Sequence, residues 1–175
     1  DTLDLITGTM VYQAIRVPSI HTALGIDQFS PLDLRQLDME GCNALADLLN
    51  QVESEMMWLA HILYNIIVLM GKPQGGTRPI ALMPMLYRVW TKVRKPHINV
   101  WESRNSGQWD AAIKGSSALR AALLGKFNDE VAHYNGEDVA TILYDMEKFY
   151  DNMDIIHLLK EGVRLEYSPT LLGLG

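Results

Sequence analysis

The sequence predicts an α+β fold, and three features lead to that prediction. An apolar, β-branched run, LYNIIVLM (63–70), is followed by the loop GKPQGGT (71–77) and a second extended stretch, RPIALM (78–83), which is the pattern of a β-hairpin. Several other stretches repeat apolar residues at three- and four-residue steps and start on capping residues, as helices do. A further strand-like run, VATILY (139–144), follows one of these helices. Strands separated by long helices give a mixed architecture.

In chain order, residues 3–16 (LDLITGTMVYQAIR) read as a short helix that ends near Pro18, with Gly8 an unfavourable residue inside it. In the segment that follows, Ser30 and Pro31 supply an N-cap and a first helical residue, and Asp33 stands in the capping-box position. From Met39 to about Leu59, residues Leu45, Leu48, Leu49, Val52 and Met56 mark a helical face. The run 63–70 is apolar on both faces, which predicts a buried strand.

After the hairpin, Pro84 opens a helix, PMLYRVWTKVRK, that Pro96 ends or kinks. Ser116 or Ser117 caps a long helix to about Tyr134, with Leu119, Leu123, Phe127 and Val131 along one face and Asn135-Gly136 as its stop. Asp138 to Asp145 is the next strand. Asp154 caps the helix IIHLLKE, ended by Gly162, and Ser168-Pro169 begins another.

A chain of 175 residues suits one domain with a substantial core, and 48% hydrophobic with 21% charged residues is ordinary for a soluble globular protein. The single cysteine, Cys42, excludes an internal disulfide and a multi-cysteine zinc site, and fits an intracellular address, the nucleus included, better than a secreted one. No basic-then-apolar leader is visible, and the most apolar run (56–70) is too short to span a bilayer. The internal start and the ending LLGLG read as a piece of a larger protein.

The net charge of −6 argues at first against nucleic acid, but its distribution argues otherwise. Between Lys72 and Arg104, seven basic residues face Glu102 alone, a net of +6, which leaves −12 for the rest of a chain whose total is −6. Charges beyond about 8–10 Å are screened, so a local block can attract phosphates on an acidic protein. Arg88, Lys92, Arg94 and Lys95 could track a nucleic-acid backbone, and a solvated helix face explains them equally well.

Two places could hold chemistry. Lys72 and Arg78 bracket a loop in which Gly75 and Gly76 let backbone approach a ligand closely. A lysine point charge and an arginine fork suit a polyphosphate, although the P-loop spacing is absent and an ordinary hairpin with solvated charges is the plainer alternative. The second place is TILYDMEKFYDNMD (141–154), where Asp145 leaves the end of the predicted strand. A carboxylate there, with no Cys or His near it, points to Mg²⁺ or Mn²⁺ rather than zinc. Asp151 and Asp154 read as turn and cap residues, Glu147-Lys148 as a solvated edge, and Trp58, Trp90, Trp101 and Trp109 as core or interface residues.

Taken together, ALGIDQFSP, GKPQGGTRPIALMPMLYRV and ILYDMEKFYDNM, in this order, resemble a reverse transcriptase domain of the non-LTR retrotransposon and group II intron type. The resemblance runs from about Ala23 to Gly162. It implies a right-hand polymerase fold, with helical segment and fingers over 1–108 and the beginning of the palm over 109–175, truncated before the palm is complete. It implies RNA-directed DNA synthesis from an RNA template, a DNA primer and dNTPs, with Mg²⁺ or Mn²⁺ and no membrane. Asp145 matches the first catalytic aspartate and metal ligand, with the Met146 carbonyl as a further ligand. Tyr150 matches the bulky residue under the incoming sugar, and Lys72 and Arg78 match fingers residues on the triphosphate.

The sequence also departs from that family. QWDAAIKGSS stands where Gln-x-Gly-Phe is usual, and no Tyr-x-Asp-Asp follows Asp145. One carboxylate cannot hold two metal ions, so these residues alone are expected to be inactive. The alternative is a non-catalytic retroelement relic or a nucleic-acid-binding or interaction domain, and a third reading is a metal-free α+β interaction protein whose likeness is coincidental.

Overall fold

The computed structural model describes residues 3–107, 110–111, 115–142 and 152–175. Within them the chain is an α+β protein with one two-stranded antiparallel sheet. It divides into two compact units, residues 1–99 with 167–175, and residues 100–166. The C-terminal residues belong to the first unit.

The first unit holds the core. Helix α1 (Gly8–Ala14) is capped by the Thr7 side chain, α2 (Pro31–Arg35) by the predicted Ser30–Asp33 box, and α3 (Met39–Glu55) by Asp38. Helix α3 ends four residues before the predicted limit, where Met56 turns left-handed at φ 52°, and a 3₁₀ turn (Ala60–Leu63) takes over. Along α3, Cys42, Leu45, Ala46, Leu49 and Val52 are buried, which is the apolar stripe its spacing predicts. Gly8 is buried because it meets Asn43 of α3: a Cβ there would lie 2.0 Å from the Asn43 side chain. Its place in the helix is a matter of contact, not of propensity.

Strand β1 (Ile66–Gly71) pairs with β2 (Thr77–Leu82), from Ile66 opposite Leu82 to Gly71 opposite Thr77. The expectation of a strand buried on both faces is corrected here. Residues 67–71 are all exposed, Leu69 at 65%. A run of apolar residues shows what a strand could bury, and only the rest of the fold supplies a layer to bury it.

Helix α4 (Met85–Asn105) runs through Pro96, so of the two outcomes expected there, an end or a kink, the helix does not end. The proline removes one backbone bond, the one to the Lys92 carbonyl, on an exposed side of the helix where solvent can hydrate that oxygen. Met85, Val89, Trp90 and Val93 are buried before the proline, and Ile98 beyond it packs against the same core. Helix α7 (Pro169–Leu174), capped by Ser168 as predicted, buries Leu171 and Leu174. The Leu174 carbonyl accepts a 2.9 Å bond from Trp58 Nε1. Trp58 also meets Tyr87 and Trp90, with ring centroids 5.5 and 5.3 Å away, so these tryptophans are core residues as the sequence suggests.

The second unit contains α5 (Ala118–Tyr134), capped by Ser117, and α6 (Ile155–Arg164), capped by Asp154. Helix α6 passes the predicted stop at Gly162. The apolar face of α5 is exposed, with Phe127 at 62%. Residues 138–142 form no strand: Thr141 Oγ1 instead donates to the Asp129 carboxylate at 3.0 and 3.1 Å. Trp101 Nε1 donates to the Leu165 carbonyl at 2.7 Å within the same unit.

Candidate functional site

The hairpin tip is built by turn chemistry. The Gly75 N–H donates to the Lys72 carbonyl at 3.0 Å, closing a β-turn with Pro73 and Gln74 at its centre. The Lys72 N–H then donates to the Gly76 carbonyl at 3.0 Å. Gly75 and Gly76 lie at φ 90° and 82°, a conformation that side chains oppose. A Cβ on either would meet nothing within 4 Å, so the demand for glycine there is conformational rather than steric.

The register decides where the two cations point. Arg78 lies opposite Met70, and Lys72 is two residues beyond Met70 on the same strand direction. Side chains alternate with period two, so Lys72 and Arg78 fall on one face of the ribbon. With Met70, Pro73, Gln74 and Ile80 they line an open concavity of about 390 Å³. Neither cation forms an ion pair among the described residues. The arrangement presents a point charge and a planar fork beside a backbone turn, which suits an anion with several oxygens.

The four cations expected to follow a nucleic-acid backbone are divided by the structure. Lys92 and Lys95 are exposed on α4. Arg88 is half-buried, and its Nη1 donates to the Ala23 carbonyl at 2.8 Å. Arg94 is elsewhere altogether. It is 3% exposed, its Nε and Nη2 bind the Glu53 carboxylate, and its Nη1 donates to the Asp4 carbonyl at 2.9 Å. Two positions on from Lys92 is slightly more than half a helical turn, so Arg94 points into the core. The expectation of a solvated, backbone-tracking Arg94 is therefore corrected: its charge is spent inside the protein.

Glu53 also accepts from Trp90 Nε1 at 2.7 Å, and nearby Asn50 binds both the N–H and the carbonyl of Ile6, at 2.8 and 2.9 Å. This polar lock ties the N-terminal segment to α3 and α4. Its members are far apart in sequence, and no local pattern announces them.

Asp145, Met146 and Tyr150 lie outside the described residues, as do Glu147, Lys148, Phe149, Asp151 and Trp109. Among the described residues, no group of three or more His, Cys, Asp or Glu side chains is arranged to hold a metal ion. Among them too, no helix is long and apolar enough to cross a membrane.

Sequence reasoning placed Asp27 in a segment without giving it a task. Its Oδ2 accepts from the Leu86 N–H at 3.1 Å, at the start of α4. Compared with family models, curated proteins and solved structures, the chain matches none.

Proposed function

We propose that this chain is the fingers and first palm segment of an RNA-directed DNA polymerase of the non-LTR retrotransposon and group II intron type. Such a right-hand polymerase adds dNTPs to a primer 3′-hydroxyl along an RNA template. The observation behind the reading is the cationic hairpin. Lys72 and Arg78 share one face of a glycine-tipped ribbon whose second strand leads into a helix, upstream of ILYDMEKFYDNM.

In this reading Lys72 supplies a point charge and Arg78 a fork to the triphosphate of the incoming nucleotide. Tyr150 lies under its sugar and disfavours a 2′-hydroxyl. Asp145 and the Met146 carbonyl would hold Mg²⁺ or Mn²⁺, and the ion would supply charge neutralisation at a phosphate. The exposed Lys92 and Lys95 follow the template backbone, with Arg88 beside them, and the hybrid product is recognised by shape and backbone.

The test is primer extension by a longer protein that contains this chain and a downstream Tyr-x-Asp-Asp pair. Mg²⁺-dependent extension that Asp145→Ala reduces to background is the expected result, and Lys72→Ala or Arg78→Ala should raise KM for dNTP. Extension indifferent to Asp145→Ala would sink the reading. Lys92 and Lys95 also favour a second reading, a non-catalytic nucleic-acid-binding domain. Salt-dependent RNA binding without extension is its signature.

A further inference from the structure

The hairpin has little to hold it along its length. Only Ile66, Ile80 and Leu82 among its strand residues are partly covered, so the position of its tip is set at its base. One side of that base is the junction Met83-Pro84, between β2 and α4. Pro84 is buried, and its carbonyl accepts from the Arg88 N–H at 3.2 Å, which makes it the residue that caps α4. Proline has no side-chain acceptor for the free N–H groups of the first turn.

The acceptor comes from 59 residues upstream: Asp27 Oδ2 takes the Leu86 N–H at 3.1 Å. A carboxylate is also favoured at a helix N-terminus by the aligned peptide dipoles. Two further contacts join the same segment to the same junction. Gly25 lies so close that a Cβ on it would be 2.5 Å from the Met83 carbonyl oxygen and 2.7 Å from Pro84 Cα. Arg88 reaches back to the Ala23 carbonyl at 2.8 Å. Asp27 Oδ1 is buried with no partner among the described residues, an unfavourable burial that the cap made by Oδ2 offsets.

We propose that residues 23–27 form a brace across the base of the hairpin, with Asp27 as its positioning residue, so that this segment sets the direction in which Lys72 and Arg78 are presented. A cap donated within its own helix would stabilise only α4. A cap donated from a distant segment that also packs against Met83-Pro84 ties strand exit, helix start and segment into one rigid corner. The proposal deepens the polymerase reading and rests on it only for what the tip grips.

The experiment therefore uses no nucleotide. Spin labels are placed on Gln51→Cys and Gln74→Cys in the 175-residue chain, both sites being exposed in the first unit while the native Cys42 is buried. The parent should give one narrow distance. Asp27→Ala should lose it and show a broad distribution, Asp27→Asn should recover most of it, and exchange at the Leu86 amide should quicken by about tenfold in the alanine variant. Should Asp27→Ala fail to fold, Gly25→Ala is the second variant, expected to shift the distance as its methyl displaces Met83. An unchanged distance distribution in folded Asp27→Ala, with faster exchange confined to the first turn of α4, would overturn the brace. So would an unchanged distance in Gly25→Ala. A tip that moves as expected, while primer extension by the longer protein is indifferent to Asp145→Ala, would leave the brace standing and count against the polymerase reading alone.

Discussion

Truncating Arg94 to alanine would leave the Glu53 carboxylate largely buried, with Trp90 Nε1 as its remaining partner. Removing one member of such a pair costs about 3–5 kcal/mol, so Arg94→Ala should lower the urea midpoint strongly whether or not RNA is present. Lys92→Ala and Lys95→Ala should leave stability within about 0.5 kcal/mol. If the proposed template contact is correct, each should reduce the salt slope of RNA binding by about one. Equal effects of all three on stability would contradict this division. Two tyrosines make a second residue-scale prediction. Burial pushes the Tyr87 phenol up, and burial together with Tyr87 pushes up Tyr167. A raised native pKa gives stability that is complete below the ordinary tyrosine value of about 10 and is lost as pH rises through the raised values. Tyr87→Phe and Tyr167→Phe should each flatten the alkaline fall, read as urea midpoints against pH.

At the scale of elements, the Ser30–Asp33 box is a case where local sequence was sufficient. Ser30 Oγ and N–H both bind the Asp33 carboxylate, at 2.6 and 2.9 Å, and hold its carboxyl below the usual range. That contribution is present above the ordinary Asp value of about 3.9 and is lost as pH falls through the lowered one. An NMR titration should find Asp33 low, and Ser30→Ala should return it toward the ordinary value. The hairpin tip was legible for the same reason: Lys-Pro-Gln-Gly-Gly contains its own turn instructions. Gly75→Ala and Gly76→Ala should each cost about 1–2 kcal/mol, seen as loss of amide protection in β1 and β2. Unchanged protection would mean that the ribbon is held by something other than its turn. Pro96 shows the limit of local reading, since a proline that could have ended α4 lies inside a helix that continues to Asn105.

At the scale of the molecule, the first unit is closed by residues more than a hundred positions apart. Trp58 donates to Leu174 across 116 residues, and this bond helps bring α7 back to a core started by α1 and α3. Trp58→Phe keeps most of the ring and loses the donor, which should cost about 1 kcal/mol and speed hydrogen exchange in α7 more than in α3. Exchange rising equally everywhere would argue that the bond does not hold α7 in particular. The charge pattern belongs to this scale too. The block from Lys72 to Arg104 looks uniform in sequence, yet the fold sends Lys92 and Lys95 to the surface, Arg88 to the Ala23 carbonyl and Arg94 into the interior.

The sequence by itself determined the parts whose physics is local: caps at Ser30, Asp154 and Ser168, the glycine turn between the strands, the stripe on α3, and the order of segments on which the polymerase reading rests. Tertiary structure alone decided which apolar residues are covered, which of four neighbouring cations is free, and that Asp27 serves a helix beginning 58 residues after it. The reason is the range of the interactions. Capping and turn formation join residues three or four apart, whereas burial and ion pairing depend on which distant segments arrive, and one sequence read alone does not record that meeting.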